Sequence, residues 1–182
     1  IRTGIDDVAR RIKQDLNISR EQIMGDSDKD AGRITTRSPE AFKLYSEARR
    51  LHVREDYRKS IDIMMKAVAL DPEFAMAYRS MGSSYGNLKQ PVEQRANYEK
   101  AFEYKDRVSD RERLAIEGDY YRMTEKTYDK AIEAYRSLID LYPDDTIANT
   151  NLGVLYTNLE ERDKAIDCYM AILRSGDPIV VG

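Results

Sequence analysis

The sequence predicts an all-α fold, a solenoid of about four stacked helix pairs, and three observations carry that expectation. The same residue patterns return at a fixed spacing, each pattern has the apolar period of a helix, and proline falls where one pair would hand over to the next. KSIDIMMKAVALDPEF (59–74), KAIEAYRSLIDLYPDD (130–145) and KAIDCYMAILRSGDP (164–178) share one shape, with Ala131 and Ala165 separated by 34 residues, as are Tyr135 and Tyr169. AYRSMGSSYGNL (77–88) returns as ANTNLGVLYTNL (148–159), and Gly82 and Gly153 stand 71 residues apart, twice 34 plus three. EGDYY (117–121) supplies the copy between them, and Ala48 with Leu51 the first. Two of the three extra residues fall near Lys105–Asp110 and the third around Thr124–Thr127.

The elements follow in chain order. Ile1, Ile5, Val8, Ile12 and Leu16 lie on one helical face, so residues 1–16 read as an amphipathic lead helix. Ser19 to Gln22 has the form of a capping box that opens a short second helix. Gly25 to Gly32 is polar and bounded by glycine, which reads as a linker. Asp26, Asp28 and Asp30 alternate as in a calcium loop, but Arg37 stands where that loop needs glutamate, so no metal is expected. The first repeated helix starts with Ser38 as N-cap and Pro39 at the first position, where a missing N–H costs nothing. Pro72 and Pro143 close second helices, and Pro91 opens one. In 130–141 the apolar residues Ala131, Ile132, Tyr135, Leu138, Ile139 and Leu141 keep the helical period.

Ala48, Gly82, Gly118 and Gly153 recur mid-helix at one phase. Glycine there costs about 1 kcal/mol relative to alanine, so its recurrence predicts a neighbouring helix too close to admit a side chain. Tyr85, Tyr121 and Tyr156 share a second phase, and Tyr98, Tyr135 and Tyr169 a third. Both are expected to be packing positions, which leaves Tyr45 and Tyr120 as the freer rings.

These patterns resemble the tetratricopeptide repeat, a 34-residue helix–turn–helix unit, with copies at 41–74, 75–108, about 111–145 and 146–179. The resemblance implies a right-handed superhelix of antiparallel helix pairs over 39–182, with 1–38 as a lead helix and linker, the tail of a preceding domain. Departures from the family pattern are Leu44, Tyr78, Leu114 and Asn149 where it has tryptophan, Ser60 and Gln94 for a small alanine, and Asp106 and Asp177 for the closing proline. The lead helix and linker, with ITTRSPEA (34–41), RVSDRER (107–113) and EGDYY, are similar to repeat regions of bacterial multidomain signalling proteins. In those, the repeats follow a serine/threonine kinase, a cyclase-type domain or a transcriptional regulator.

By the same resemblance, partner contacts come from the first helix of each pair. The candidate groove residues are Tyr45, Arg49 and His52; Arg79, Ser83 and Asn87; Asp119 and Arg122; and Thr150, Asn151, Val154, Thr157 and Asn158. The implied function is non-catalytic binding of a peptide segment or partner domain. A structural spacer or self-association module is the alternative, with RNA binding by a helical repeat behind it. The lysine-and-asparagine clamp that some members use for chaperone C-termini is absent at the matching positions.

Composition agrees with a binding module. Thirty basic and 33 acidic side chains give a net charge of −3, against a dedicated nucleic-acid binder. The balance conceals a division, +3 over residues 1–108 and −6 over 109–182. A single cysteine, Cys168, and a single histidine, His52, exclude a disulfide framework and an ordinary zinc site. No phosphate-cradling glycine loop or kinase motif occurs, and no cofactor is expected. No apolar run is long enough for a membrane span, so a cytoplasmic protein is expected. The chain opens on Ile1 rather than methionine, which reads as a piece of a longer protein, and Ile179-Val180-Val181 suggests an apolar end suited to pairing with a second copy.

Overall fold

Ser38 opens the first helix as its chemistry requires. Its backbone is extended, its side chain accepts from the Ala41 N–H at 3.1 Å, and Pro39 takes the first helical position. In the computed structural model, residues 35–175 are described. The chain divides into two units, Ile1–Ile34 and Thr35–Gly182. The lead helix, the polar linker with its aspartates, and the Ile179–Val181 stretch lie outside the described residues.

Among the described residues eight α-helices follow in order: α1 (Pro39–Val53), α2 (Tyr57–Leu70), α3 (Ala75–Asn87), α4 (Pro91–Glu103), α5 (Asp110–Tyr121), α6 (Tyr128–Leu141), α7 (Thr146–Asn158) and α8 (Arg162–Ser175). Each packs most closely on its partner in a pair, and the second helix of each pair then meets the first helix of the next. That nearest-neighbour order defines a solenoid, in which each pair buries its apolar face only by stacking. Two 3₁₀ turns, Lys105–Arg107 and Glu125–Thr127, sit at the two places where the sequence has extra residues.

Three of the turns within pairs have one design. Glu55, Lys89 and Glu160 have φ of 63°, 60° and 60° and occupy the same repeat position. In the first, Glu55 N–H donates to the His52 carbonyl at 2.9 Å and Asp56 N–H to that of Leu51 at 3.0 Å. Lys89 and Gln90, and Glu160 and Glu161, repeat those two bonds. This is the Schellman ending of a helix, built without the glycine it usually takes. The third pair, with its longer turn, uses the Glu125–Thr127 3₁₀ helix instead, and Thr127 Oγ1 donates to the Tyr121 carbonyl at 2.5 Å.

The mid-helix glycines meet tyrosine rings. A Cβ on Gly82 would lie 2.5 Å from Tyr98 Cδ1, one on Gly118 2.4 Å from Tyr135 Cε1, and one on Gly153 2.7 Å from Tyr169 Cε1. The first helices α3, α5 and α7 therefore rest directly on a ring of their partners. In the first pair Ala48 and Met64 hold the same two phases, and both are fully buried. The departures from the family pattern are also accommodated. Ser60 is buried and donates to the Ala48 carbonyl at 2.9 Å, while Gln94 fits against the bare backbone of Gly86. Asn149 is buried and donates to the Pro143 and Asp145 carbonyls at 3.3 and 3.1 Å, tying α7 to the turn before it. Apolar cores form on either side of the middle: one about Met64, Phe74 and Met81, the other about Tyr135, Leu138 and Leu152.

Candidate functional site

The stacking of pairs brings the candidate groove residues of α1, α3, α5 and α7 into a series, and hydrogen bonds join several of them across repeats. Asp119 is the hub. It is 3% exposed. Arg79 Nε donates to its Oδ2 at 2.8 Å, and its Oδ1 accepts from Tyr135 OH at 2.6 Å, Asn151 Nδ2 at 3.0 Å and Arg122 Nε at 3.2 Å. Arg122 also donates to Tyr98 OH at 3.3 Å. Side chains of three successive repeats thus converge on one carboxylate.

The cluster is electrostatically consistent. Burial works against the Asp119 charge, yet Arg79, Arg122 and the Tyr135 hydroxyl outweigh it and hold the carboxyl below its ordinary range. Burial likewise opposes the Arg79 cation, and Asp119 overcomes it. Tyr135 is pushed well up, by burial first and then by the adjacent carboxylate, so it remains a donor. Two guanidinium groups face one carboxylate, which leaves a residual positive charge at this part of the face.

The other candidates are placed as follows. Tyr45, Arg49 and His52 are half-buried on α1. Tyr45 packs on Phe74, with ring centroids 5.0 Å apart. Arg49 lines a shallow depression of about 290 Å³ with Arg50, Val53 and Arg54. His52 Nδ1 lies 2.9 Å from Ser84 Oγ on α3, and burial, then the nearby Arg49, lowers its pKa. Ser84 is fully buried, so the pair is a bond between repeats rather than a nucleophile and its base. Ser83 and Thr150 are half-buried, whereas Asn87, Val154, Thr157 and Asn158 are exposed. Thr150 and Thr157 hydroxyls donate back to the Thr146 and Gly153 carbonyls at 2.7 and 2.8 Å. Tyr120, a freer ring by its phase, stacks on Phe102 with centroids 4.1 Å apart.

Cys168 is buried, and burial, followed by Asp167, raises its pKa, so it stays a thiol at neutral pH. Among the described residues no group of three or more His, Cys, Asp or Glu side chains is placed to hold a metal ion, and no helix is long and apolar enough to cross a membrane.

Sequence reading did not anticipate the Asp119 hub. Tyr98 and Tyr135 carried a packing signal only, and nothing in the local spacing announces that the Tyr98 hydroxyl meets Arg122 and the Tyr135 hydroxyl meets Asp119. A legible sign was the acid at a helix position where the other repeats have Arg49, Ser83 and Val154.

The tetratricopeptide repeat family model matches residues 115–145 and 147–175. No curated protein matches the chain. Among solved structures, the Sgt2 TPR domain from Aspergillus fumigatus is 21% identical, with 71% of this chain and 85% of that chain covered and a TM-score of 0.51. MamA from residue 41 to its end, from Desulfovibrio magneticus, is 20% identical over 94% of this chain and 97% of that one, with a TM-score of 0.50. A thermophilic TPR protein from Thermus thermophilus is 15% identical over 74% and 73%, with a TM-score of 0.54. Periodicity, helix pairing, family match and structural likeness converge: the chain folds as an α-solenoid of tetratricopeptide repeats.

Proposed function

We propose that this chain is a non-catalytic protein–protein interaction module that takes a peptide segment or partner domain in a groove along its first helices. In this reading it serves a larger bacterial signalling protein in the cytoplasm. The observation that carries the proposal is the series of groove candidates on α1, α3, α5 and α7, which join across repeats through the Asp119 cluster and the His52–Ser84 bond. Interaction through an extended helical-repeat surface is the general use of this fold. The inner members of the series set the surface, and Arg49, Asn87, Thr157 and Asn158 remain open for contact.

The test is selection of binding peptides from a displayed library by the full chain, followed by affinity measurement with Arg49→Glu/Asn87→Glu. Both sites lie outside the buried cluster. Loss of about tenfold or more in affinity is expected, a change worth about 1.4 kcal/mol. Undiminished binding by the double variant would sink the groove assignment.

A second reading, self-association into a homodimer at the C-terminal end of the array, is favoured by one observation. α8 exposes Ile166 at 56% and Leu173 at 54%.

A further inference from the structure

We propose that Arg79 and Arg122 form an anchor for one acidic side chain, aspartate or glutamate, of a peptide segment bound in the groove. This rests on the groove reading above and names the chemistry that one point of the groove selects.

The argument starts from a count of charges. Among the described residues the other ion-paired arginines each have a carboxylate to themselves. Arg107 has Glu73, Arg111 has Asp145, and Arg113 has both Asp110 and Glu117. Arg79 and Arg122 share one, that of Asp119. Arginine keeps its charge throughout the pH range of proteins, so the shared carboxylate leaves one cation without a counter-ion. Asp119 is also the one acid among the candidate groove residues. A recessed cation without a partner is costly, and a second carboxylate brought to it relieves that cost.

The hydrogen bonds show where the second carboxylate would go. A guanidinium donates through Nε and through both Nη groups. Arg79 uses Nε, on Asp119 Oδ2 at 2.8 Å; among the described residues its two Nη groups have no partner, and neither is sealed from solvent. Arg122 uses Nε on Asp119 Oδ1 at 3.2 Å and Nη2 on the Tyr98 hydroxyl at 3.3 Å, which leaves Nη1 open. Asp119 is already committed, because Oδ1 also accepts from Tyr135 and Asn151. Both guanidinium groups are fixed on one carboxylate, so their open donors are neighbours. Planar, paired donors match the two oxygens of a carboxylate.

Charge and depth narrow the ligand. A phosphoryl group would bring close to two negative charges beside Asp119, where one cation is uncompensated, and a carboxylate brings one. The Arg79 and Arg122 side chains are 12% and 24% exposed, so their donors sit below the rim of the face. A carboxylate at a chain end has no stem with which to reach them. The methylene groups of aspartate or glutamate carry the charge down from a peptide that lies across α3, α5 and α7.

The experiment is selection by the full chain from two displayed libraries of random peptides, one flanked on both sides and one ending in free C-termini. The flanked library is expected to yield peptides with aspartate or glutamate at one fixed position. Replacing that acid by its amide is expected to lower affinity about tenfold. The ratio of acid to amide affinity is then measured with Arg79→Lys and Arg122→Lys, each checked by circular dichroism. Lysine keeps the charge but loses the planar fork, so the ratio is expected to fall several-fold in each. A cluster that only holds the fold together would change both affinities alike and leave the ratio as it was. An unchanged ratio in both variants, or selected peptides with no fixed acid, would overturn the anchor and leave the groove reading standing. An acid requirement met only by free C-termini would overturn the side-chain assignment. Selected peptides that bind Arg49→Glu/Asn87→Glu undiminished, or no enrichment from either library, would overturn the groove reading and the anchor with it.

Discussion

Glu55, Lys89 and Glu160 hold a left-handed backbone that costs a residue with a Cβ about 1–2 kcal/mol. Glycine adopts that region freely but loses more chain entropy on folding, which offsets part of the gain. Glu55→Gly, Lys89→Gly and Glu160→Gly are each expected to stabilise the fold by about 0.5–1 kcal/mol, read from urea midpoints at unchanged slope. The mid-helix glycines respond oppositely to one another. Gly118→Ala drives a methyl into a Tyr135 ring that its bond to Asp119 holds in place, and overpacking of this kind costs about 1–3 kcal/mol. At Gly153 the facing Tyr169 ring is partly exposed and free to give way, while alanine regains about 1 kcal/mol of helix propensity. Gly153→Ala is therefore expected to be neutral or stabilising. Thermal unfolding of the two variants side by side distinguishes these outcomes.

At the scale of elements the sequence was legible wherever a single segment carries its own signal. Ser38 and Pro39 mark the start of α1, and Pro91 that of α4, where the structure has them. Leu70 and Leu141 end their helices two residues before proline. The extra residues located by counting became the two 3₁₀ turns. Ser109 and Glu112 form a full capping box at the start of α5, a local signal that went unread in the sequence. Contacts that join one pair to another were less legible. The recurrence of small residues pointed to close approach, but which ring filled each gap depends on the angle between two helices. The Arg111–Asp145 pair, at 2.8 Å across 34 residues, is likewise invisible to any local pattern.

For the whole array, the Asp119 cluster has the widest reach, because it binds the second, third and fourth repeats to each other. Repeat arrays are stabilised by their internal and nearest-neighbour interfaces, so a group shared by three units sets how far they unfold together. Asp119→Asn would leave Arg79 and Arg122 without a counter-charge in a buried site. The expected loss is about 3–5 kcal/mol, with a broadened urea transition. Asp119 also predicts an acid response. Its folded pKa lies below the ordinary value of 3.8, so its contribution is present above that value and is lost as pH falls through the folded one. Unfolding measured at descending pH below about 4 should show the wild type losing stability to which Asp119→Asn is indifferent. The candidate groove positions were legible as a series of helical phases, whereas the division into residues buried in cross-repeat bonds and residues that are exposed emerged only from packing.

The longer turn of the third pair has a consequence for engineering. Gly82 and Tyr98 are 16 residues apart, as are Gly153 and Tyr169, whereas Gly118 and Tyr135 are 17 apart and still in the same ring-on-backbone contact. The Glu125–Thr127 turn has therefore absorbed a change in chain length without passing it to the helices on either side. It acts as a splice point with slack, and it is the place in this array where a short tag, a reporter peptide or a new pair of termini would be introduced with the phase of the neighbouring repeats intact.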